Sequence, residues 1–114
     1  MDDTDHSPTP LERECLALIA KHSWPDFDCA AVKVSRRENT GVGRYVHLED
    51  SLDQSLPNGA FGPAPGCTIQ MNGVQHGLDF EANVSLGRVK FLEIVTCSPH
   101  GWDGVEYDWR VALE

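Results

Sequence analysis

The chain has 114 residues, with 18 acidic against 9 basic side chains and a formal net charge of −9. A chain of this length buries one modest core, which excludes a two-domain enzyme. Binding to nucleic acid or to an anionic membrane needs clustered Lys and Arg, and Arg36-Arg37 is the only adjacent Lys/Arg pair. We therefore expect no direct nucleic-acid or membrane partner. The acidity either keeps the protein soluble or attracts a basic protein, a polyamine or a metal cation.

The first residues carry several acids and few apolar side chains. We expect a flexible N-terminus over 1–8, followed by a single domain over 9–114. The sequence shows neither the basic and apolar regions of a signal peptide nor an apolar run of the roughly 18 residues that span a membrane. These features predict a cytoplasmic protein.

The first regular element is a helix with clear boundary signals. Thr9 and Glu12 have the spacing of a capping box, and Pro10 occupies the first helical position. Apolar residues then recur at helical spacing until Ser23-Trp24-Pro25 ends the pattern. The sequence predicts a helix over 10–22.

Beyond the helix, the apolar period changes from 3.6 to 2, which indicates strands. A Pro- and Gly-rich loop is expected over 49–66, and a type I′ hairpin turn at Asn72-Gly73. Strands are predicted over 30–35, 44–48, 67–71, 77–85, 88–96 and 105–113. This order predicts an α+β fold, with the N-terminal helix on one face of a mostly antiparallel sheet of about five or six strands.

The hairpin around Leu86-Gly87 has two possible registers that place Glu93 differently. A two-residue loop pairs Glu93 with Phe80 on the apolar face, where an unpaired carboxylate is costly. A three-residue loop pairs Phe80 with Leu92 and moves Glu93 to the polar face beside Asp79. We favour the second register; if Glu93 were buried instead, it would be a candidate site residue.

The spacing of the candidate catalytic and metal-ligating residues is weak evidence for a site. Cys97, His100 and Asp103 have the residue types of a nucleophile, a base and an orienting group, but such triads assemble in space rather than in sequence. The cysteines and histidines lack the paired spacing of a structural zinc site. We expect no enzyme activity, no cofactor and free thiols at all four cysteines: Cys15, Cys29, Cys67 and Cys97.

Acidic residues follow a period of two on two predicted strands. Asp79 and Glu81 lie on one, and Glu106 and Asp108 on the other. Trp102, in a loop beside them, has the character of an interface anchor. Three further acids, Glu49, Asp50 and Asp53, stand at or beside the start of the long loop. The pattern predicts a partner-binding surface made of these residues.

The stretch from Gly77 to Thr96, followed by Gly101-Trp102, resembles small bacterial immunity proteins of contact-dependent growth inhibition and other polymorphic-toxin systems. These proteins have a strand, a Gly turn, a second strand carrying Leu-Glu-hydrophobic, and a Trp-containing loop. The resemblance implies a cytoplasmic protein that binds one cognate toxin C-terminal domain and blocks it. Such toxins are often nucleases with basic clefts, which suits an acidic inhibitor.

The sequence thus predicts an immunity protein that neutralises a toxin domain, with a basic nuclease as the expected target, through an acidic surface. Two alternatives stay open. One is a small metal- or thiol-dependent enzyme that uses Cys97, His100, Glu93 or the other histidines. The other is an accessory subunit that packs on another protein through apolar contacts.

Overall fold

A computed structural model describes residues 7–49 and 54–113. Within them lie one α-helix, one 3₁₀ turn and seven strands. Their bounds are α1 Pro10–Ser23, the 3₁₀ turn Cys29–Ala31, β1 Val34–Asn39, β2 Gly43–Leu48, β3 Gly59–Phe61, β4 Cys67–Met71, β5 Val74–Ser85, β6 Arg88–Val95 and β7 Trp109–Leu113. Most of the N-terminus predicted to be flexible lies outside the described residues. Of its last two residues, Pro8 is buried, and the Ser7 carbonyl accepts a hydrogen bond from Arg37.

The helix is confirmed, including its capping box. The Thr9 hydroxyl accepts a hydrogen bond from the Glu12 backbone N–H at 3.2 Å, and the Glu12 carboxylate accepts one from the Thr9 N–H at 2.9 Å. These two bonds satisfy two backbone donors that the first turn leaves without intrahelical partners. One face of the helix is buried: Leu11, Cys15, Leu16, Ile19 and Ala20.

The strands form one open antiparallel sheet in the order β1-β2-β6-β5-β4-β7, with β3 also paired to β5. The α+β class is therefore confirmed. Val46, Leu92 and Ala82 lie opposite one another on the helix side of the sheet and are all buried. The structure measures 38 × 37 × 19 Å, a thickness that fits one helix layer on one sheet and leaves the other sheet face uncovered. No helix among the described residues is long and apolar enough to cross a membrane.

Four predicted segments were wrong in their limits, and one of them is the strand predicted over 77–85, which begins at Val74. The first strand begins at Val34, because the residues before it form the 3₁₀ turn, whose Ala30 N–H is capped by the Asp28 carboxylate at 3.0 Å. The loop predicted over 49–66 contains the short strand β3. The last strand begins at Trp109 rather than at Val105, whose backbone is used by the preceding loop.

The hydrogen bonds of Val105 explain the late start of β7. Its N–H donates to the Asp103 carboxylate at 2.9 Å, and its carbonyl accepts from the Trp102 indole at 2.8 Å. A residue whose two backbone groups are already paired within a loop has none left for a strand ladder. The apolar–polar alternation of the sequence therefore begins at Val105, before the segment that can pair as a strand.

The two hairpin turns differ from their predictions in detail. At Asn72-Gly73 the two-residue hairpin forms, but only Gly73 has a positive φ, so the turn is not type I′. Leu86 and Gly87 both have positive φ (56° and 76°), the pattern of a type I′ turn, and Ser85 pairs with Arg88 across them.

The two-residue loop is confirmed at the turn, where Val84 pairs with Val89, but neither predicted register continues along the rest of the second hairpin. A bulge follows the turn, so that Val84 faces Val89 but Asn83 faces Phe91, and Lys90 is the extra residue. Beyond the bulge Glu93 lies opposite Glu81. Glu93 therefore lies on the polar face, as the favoured register requires, but its neighbour is Glu81 rather than Asp79.

Candidate functional site

The uncovered face of the sheet carries an aromatic group bordered by carboxylates. The strand registers place Tyr45, Glu93 and Glu81 in one row, and His47 and Phe91 in the next. We call this surface the acidic–aromatic face and define it as Glu38, Tyr45, His47, Asp79, Glu81, Phe91 and Glu93. It lies on the side of the sheet opposite the helix.

The three aromatic rings at its centre contact one another. Tyr45 and Phe91 meet edge to face, with ring centroids 5.7 Å apart and an interplanar angle of 71°. His47 lies 6.3 Å from Tyr45 and 6.1 Å from Phe91. All three side chains are half-buried. Such rings supply a large, rigid contact area that remains accessible on this face.

The carboxylates on β5 and β6 crowd one another. Glu81 and Glu93 are direct cross-strand neighbours, an arrangement of like charges that destabilises a sheet. Tyr45 lies on the other side of Glu93. The charge of Glu93 and the hydrogen bond that its carboxylate accepts from the phenol raise the pKa of Tyr45. Negative potential therefore reaches the aromatic centre of the face.

Glu38 closes the face at the β1 edge. Its carboxylate lies 2.6 Å from the His47 ring nitrogen and 3.0 Å from the Arg36 guanidinium. The hydrogen bond to His47, with the charge of Arg36, lowers the pKa of Glu38. This carboxylate is thus partly neutralised, whereas those on β5 and β6 dominate the charge of the face.

The face is shallow. A groove of about 140 Å³ lies between Asp79, Glu81 and Glu93, beside Val95. Small-molecule sites usually enclose about 300–1,000 Å³. The geometry therefore suits the surface of a macromolecule better than an enclosed small ligand.

Two of the residues predicted to bind a partner lie elsewhere. Trp102 is only 3% exposed, so it is a core residue rather than an exposed anchor. Its ring packs against the guanidinium of Arg44, 5.0 Å from the ring centroid. The carboxylate of Glu106 contacts the same guanidinium at 2.6 Å. The prediction that Glu106 shares one patch with Asp79 was therefore wrong.

Arg44 and Glu106 belong to a buried charge network that the sequence did not reveal. Glu12, fully buried, accepts hydrogen bonds from Arg37 at 2.7 and 2.8 Å and from Arg44 at 2.9 Å. Burial alone raises the pKa of Glu12, but the hydrogen bonds and charges of the two arginines, together with the Thr9 N–H, outweigh it and lower the pKa. The network connects the start of α1, the first two strands and the Trp102 loop.

The remaining predicted acids are spread over the molecule. Asp108 is exposed just before β7, which β4 separates from β5. Glu49 follows β2, with its N–H bonded to the Lys33 carbonyl at 3.0 Å. Asp50 and Asp53 lie outside the described residues. Of the predicted residues that the structure describes, only Asp79 and Glu81 join Glu93 on the acidic–aromatic face.

Of the candidate triad, the Asp103 carboxylate and the His100 backbone are engaged in the hydrogen bonds of the loop. The Asp103 carboxylate accepts from the Tyr107 hydroxyl at 2.6 Å and from the Val105 N–H, and the His100 N–H donates to the Ser98 hydroxyl. The hydrogen bond from Tyr107 lowers the pKa of Asp103 and raises that of Tyr107. Cys97 is exposed. Among residues 7–49 and 54–113, no group of three or more His, Cys, Asp or Glu side chains is placed to hold a metal ion.

Comparison of the chain with family models, with curated proteins and with solved structures gives no match.

Proposed function

We propose that this protein is an immunity protein: it binds a cognate toxin domain with a cationic surface and blocks it through the acidic–aromatic face. The observation that carries the proposal is the composition of that face, where Tyr45, His47 and Phe91 form an accessible aromatic centre beside Asp79, Glu81 and Glu93. The family resemblance of the sequence supports the same function.

Charge complementarity supports a basic partner. Glu81 and Glu93 repel each other across the strands, and a Lys or Arg from the partner would relieve this repulsion on binding. The net charge of −9 also attracts a cationic surface from a distance and increases the association rate. The cleft of a nuclease, which binds phosphates, has the required positive charge.

The aromatic centre supports a protein partner rather than a free cation. Aromatic residues are enriched at interface hot spots, where their burial supplies most of the affinity. An interface of ordinary size needs about 800 Å² on each partner. A sheet surface in a molecule 38 × 37 Å across can provide this area.

The test uses the protein domain encoded at the 3′ end of the gene immediately upstream. We expect the purified domain to bind this protein, with an affinity that falls steeply between about 50 and 300 mM salt. Phe91→Ala should weaken binding by about thirtyfold, the loss of one hot spot of about 2 kcal/mol. Glu81→Gln should lower the association rate. The control is Asp26→Asn, which removes an exposed acid beyond the end of the helix.

Three results would contradict the proposal. One is a neighbouring domain that does not bind, and another is binding that resists salt, as expected for an accessory subunit with an apolar interface. The third is equal weakening by Asp26→Asn and Glu81→Gln, which would leave only a non-specific charge effect.

A further inference from the structure

The sheet ends in two different edges. At one end, β1 carries Arg36, Arg37 and Glu38, and a register shift at Ser35 bulges the strand. Charges, inward-pointing ionic side chains and bulges are the features that prevent an edge strand from pairing with another chain. Arg37 points inward, to Glu12. At the other end, β7 has one charged residue, Arg110, and an unbroken register with β4.

The core side of the sheet is incompletely covered at β7. Trp109, Val111 and Leu113 lie opposite Met71, Ile69 and Cys67, which are all at most 6% exposed. Trp109 and Val111 are only half-buried, and Leu113 is 74% exposed. The apolar layer of the core therefore continues to the edge strand and is left open to solvent there.

We propose that β7 pairs antiparallel with β7 of a second copy of this chain, in a register centred on Val111. Trp109 then lies opposite the partner's Leu113, and Arg110 opposite the partner's Ala112. The same pairs occur twice because the interface has two-fold symmetry. The partner strand covers the open apolar residues and satisfies the unpaired backbone groups of the edge.

The side chains of β7 select this register. In an antiparallel pair, directly opposed residues lie on the same face of the sheet. The two-fold axis must therefore pass between one residue and its own copy in the partner, because any other axis would oppose residues from different faces. A centre at Arg110 would oppose two guanidinium groups. A centre at Ala112 would place Trp109 opposite a position outside β7, which ends at Leu113. Only the centre at Val111 pairs all five residues of β7 and combines aromatic with aliphatic side chains.

This dimer is independent of the proposed function. The acidic–aromatic face lies on β1, β2, β6 and β5, whereas the dimer uses β7 beyond β4. Failure of the dimer would therefore not change the expected binding of a toxin domain, and a dimer that binds no toxin would still confirm this inference.

The first experiment measures mass against concentration by analytical ultracentrifugation. We use about 150 mM salt so that the charges of the two copies are screened. Ala112 faces away from the core, beside Thr68, so a long side chain fits there in the monomer. Ala112→Arg would oppose Arg110 of the partner, and we expect about tenfold weaker dimerisation. Ala112→Glu would form two ion pairs, and we expect tighter dimerisation although each copy becomes more acidic.

The outcomes of this experiment are distinct. A wild-type protein that stays monomeric at every concentration overturns the proposal. If both variants weaken dimerisation, the register is centred on Ala112. If Ala112→Arg strengthens dimerisation and Ala112→Glu weakens it, the register is shifted. Either result overturns the proposed pairing. Recovery of the dimer in Ala112→Arg/Arg110→Glu, which exchanges the two charges, would support it further.

The second experiment tests the symmetry axis directly. In a Cys97→Ser background, which removes the exposed native thiol, Val111→Cys should form a disulfide-linked dimer on mild oxidation with oxidised glutathione. The control is Val42→Cys, at a residue 49% exposed in the loop between β1 and β2. Equal cross-linking of both variants, or none at position 111, would contradict the proposal.

Discussion

The buried charge network makes the protein depend on one carboxylate in the first turn of the helix. In Glu12→Gln the charge that faces both Arg37 and Arg44 is lost. Among residues 7–49 and 54–113, Arg44, at 6% exposure, then keeps only Glu106 as an ionic partner. Removal of one partner from a buried ionic group costs about 3–5 kcal/mol, because the remaining charge is uncompensated. We expect the lower end, about 3 kcal/mol, because Arg37 is partly exposed and glutamine retains an acceptor for the cap.

This loss of unfolding free energy corresponds to a fall in the melting temperature. At about 2.1 cal/mol/K of unfolding entropy per residue, a protein of this length loses about 4 °C for each kcal/mol. Glu12→Gln should therefore lower Tm by about 12 °C in a circular-dichroism melt at pH 7. The matched control is Glu14→Gln, which makes the same charge change on the same helix at a half-buried position. It should change the unfolding free energy by less than about 0.5 kcal/mol.

The pH dependence provides a second measure of the same network. The pKa of Glu12 is lowered in the folded state from an ordinary value of 4.5. Its ionisation therefore stabilises the fold fully above pH 4.5, and this stabilisation is lost as the pH falls from there through the folded-state pKa. The difference between wild type and Glu12→Gln should be constant near neutral pH and shrink below pH 4.5. A loss under about 1 kcal/mol at pH 7, or a difference independent of pH, would refute the reasoning.

Three further predictions concern the sheet. Leu86 is 75% exposed and has a φ of 56°, so Leu86→Asn, which tolerates this conformation better, should raise the unfolding free energy in urea by about 0.5–1 kcal/mol. A Cβ at Gly43 would collide with the carbonyl of Ile94, so Gly43→Ala should destabilise the protein by about 2 kcal/mol in the same assay. Glu93→Gln removes the charge that raises the pKa of Tyr45, so one tyrosine should titrate at a lower pH in an ultraviolet absorbance titration.

Each of these predictions has a simple failure. Loss of stability in Leu86→Asn would mean that the turn does not hold a positive φ, and a neutral Gly43→Ala would mean that the two strands are not in this close approach. For the titration the reference is Asp103→Asn, which should lower the pKa of Tyr107 instead. An unchanged curve in Glu93→Gln would contradict the pairing of β2 with β6.

Local signals in the sequence were sufficient for the helix and for the central strands. The capping box depends only on Thr9 and Glu12, and the alternation over 77–85 depends only on one strand with one buried face. Such features are settled within a few residues. They predict the α+β class. The polar position of Glu93 is predicted through a three-residue loop that the hairpin does not have, so it agrees with the structure for a different reason.

Features that depend on contacts between distant segments were missed or misplaced. The sequence identifies Glu12 as a cap residue, but nothing in its neighbourhood shows that Arg44, 32 positions later, folds onto it. Glu106 fits the alternating pattern of the last predicted strand. The hydrogen bonds of the Trp102 loop delay the start of β7, however, so Glu106 lies in the loop and contacts Arg44. The aromatic centre is not predicted, because Tyr45 and Phe91 come from separate segments, β2 and β6, and local sequence does not show that these two strands pair.

The central position of β5 has a consequence for how the protein opens. Residues 79–85 of this strand pair with β6, Val74 and Leu78 pair with β4, and residues 82–84 also pair with β3 on the edge opposite β6. A segment held on both edges cannot release its amides by fraying, so the amides of residues 82–84 exchange with solvent only when the whole sheet unfolds. In a native-state hydrogen-exchange experiment, these amides should define the slowest class. The protection of that class would report the global unfolding free energy directly, without denaturant.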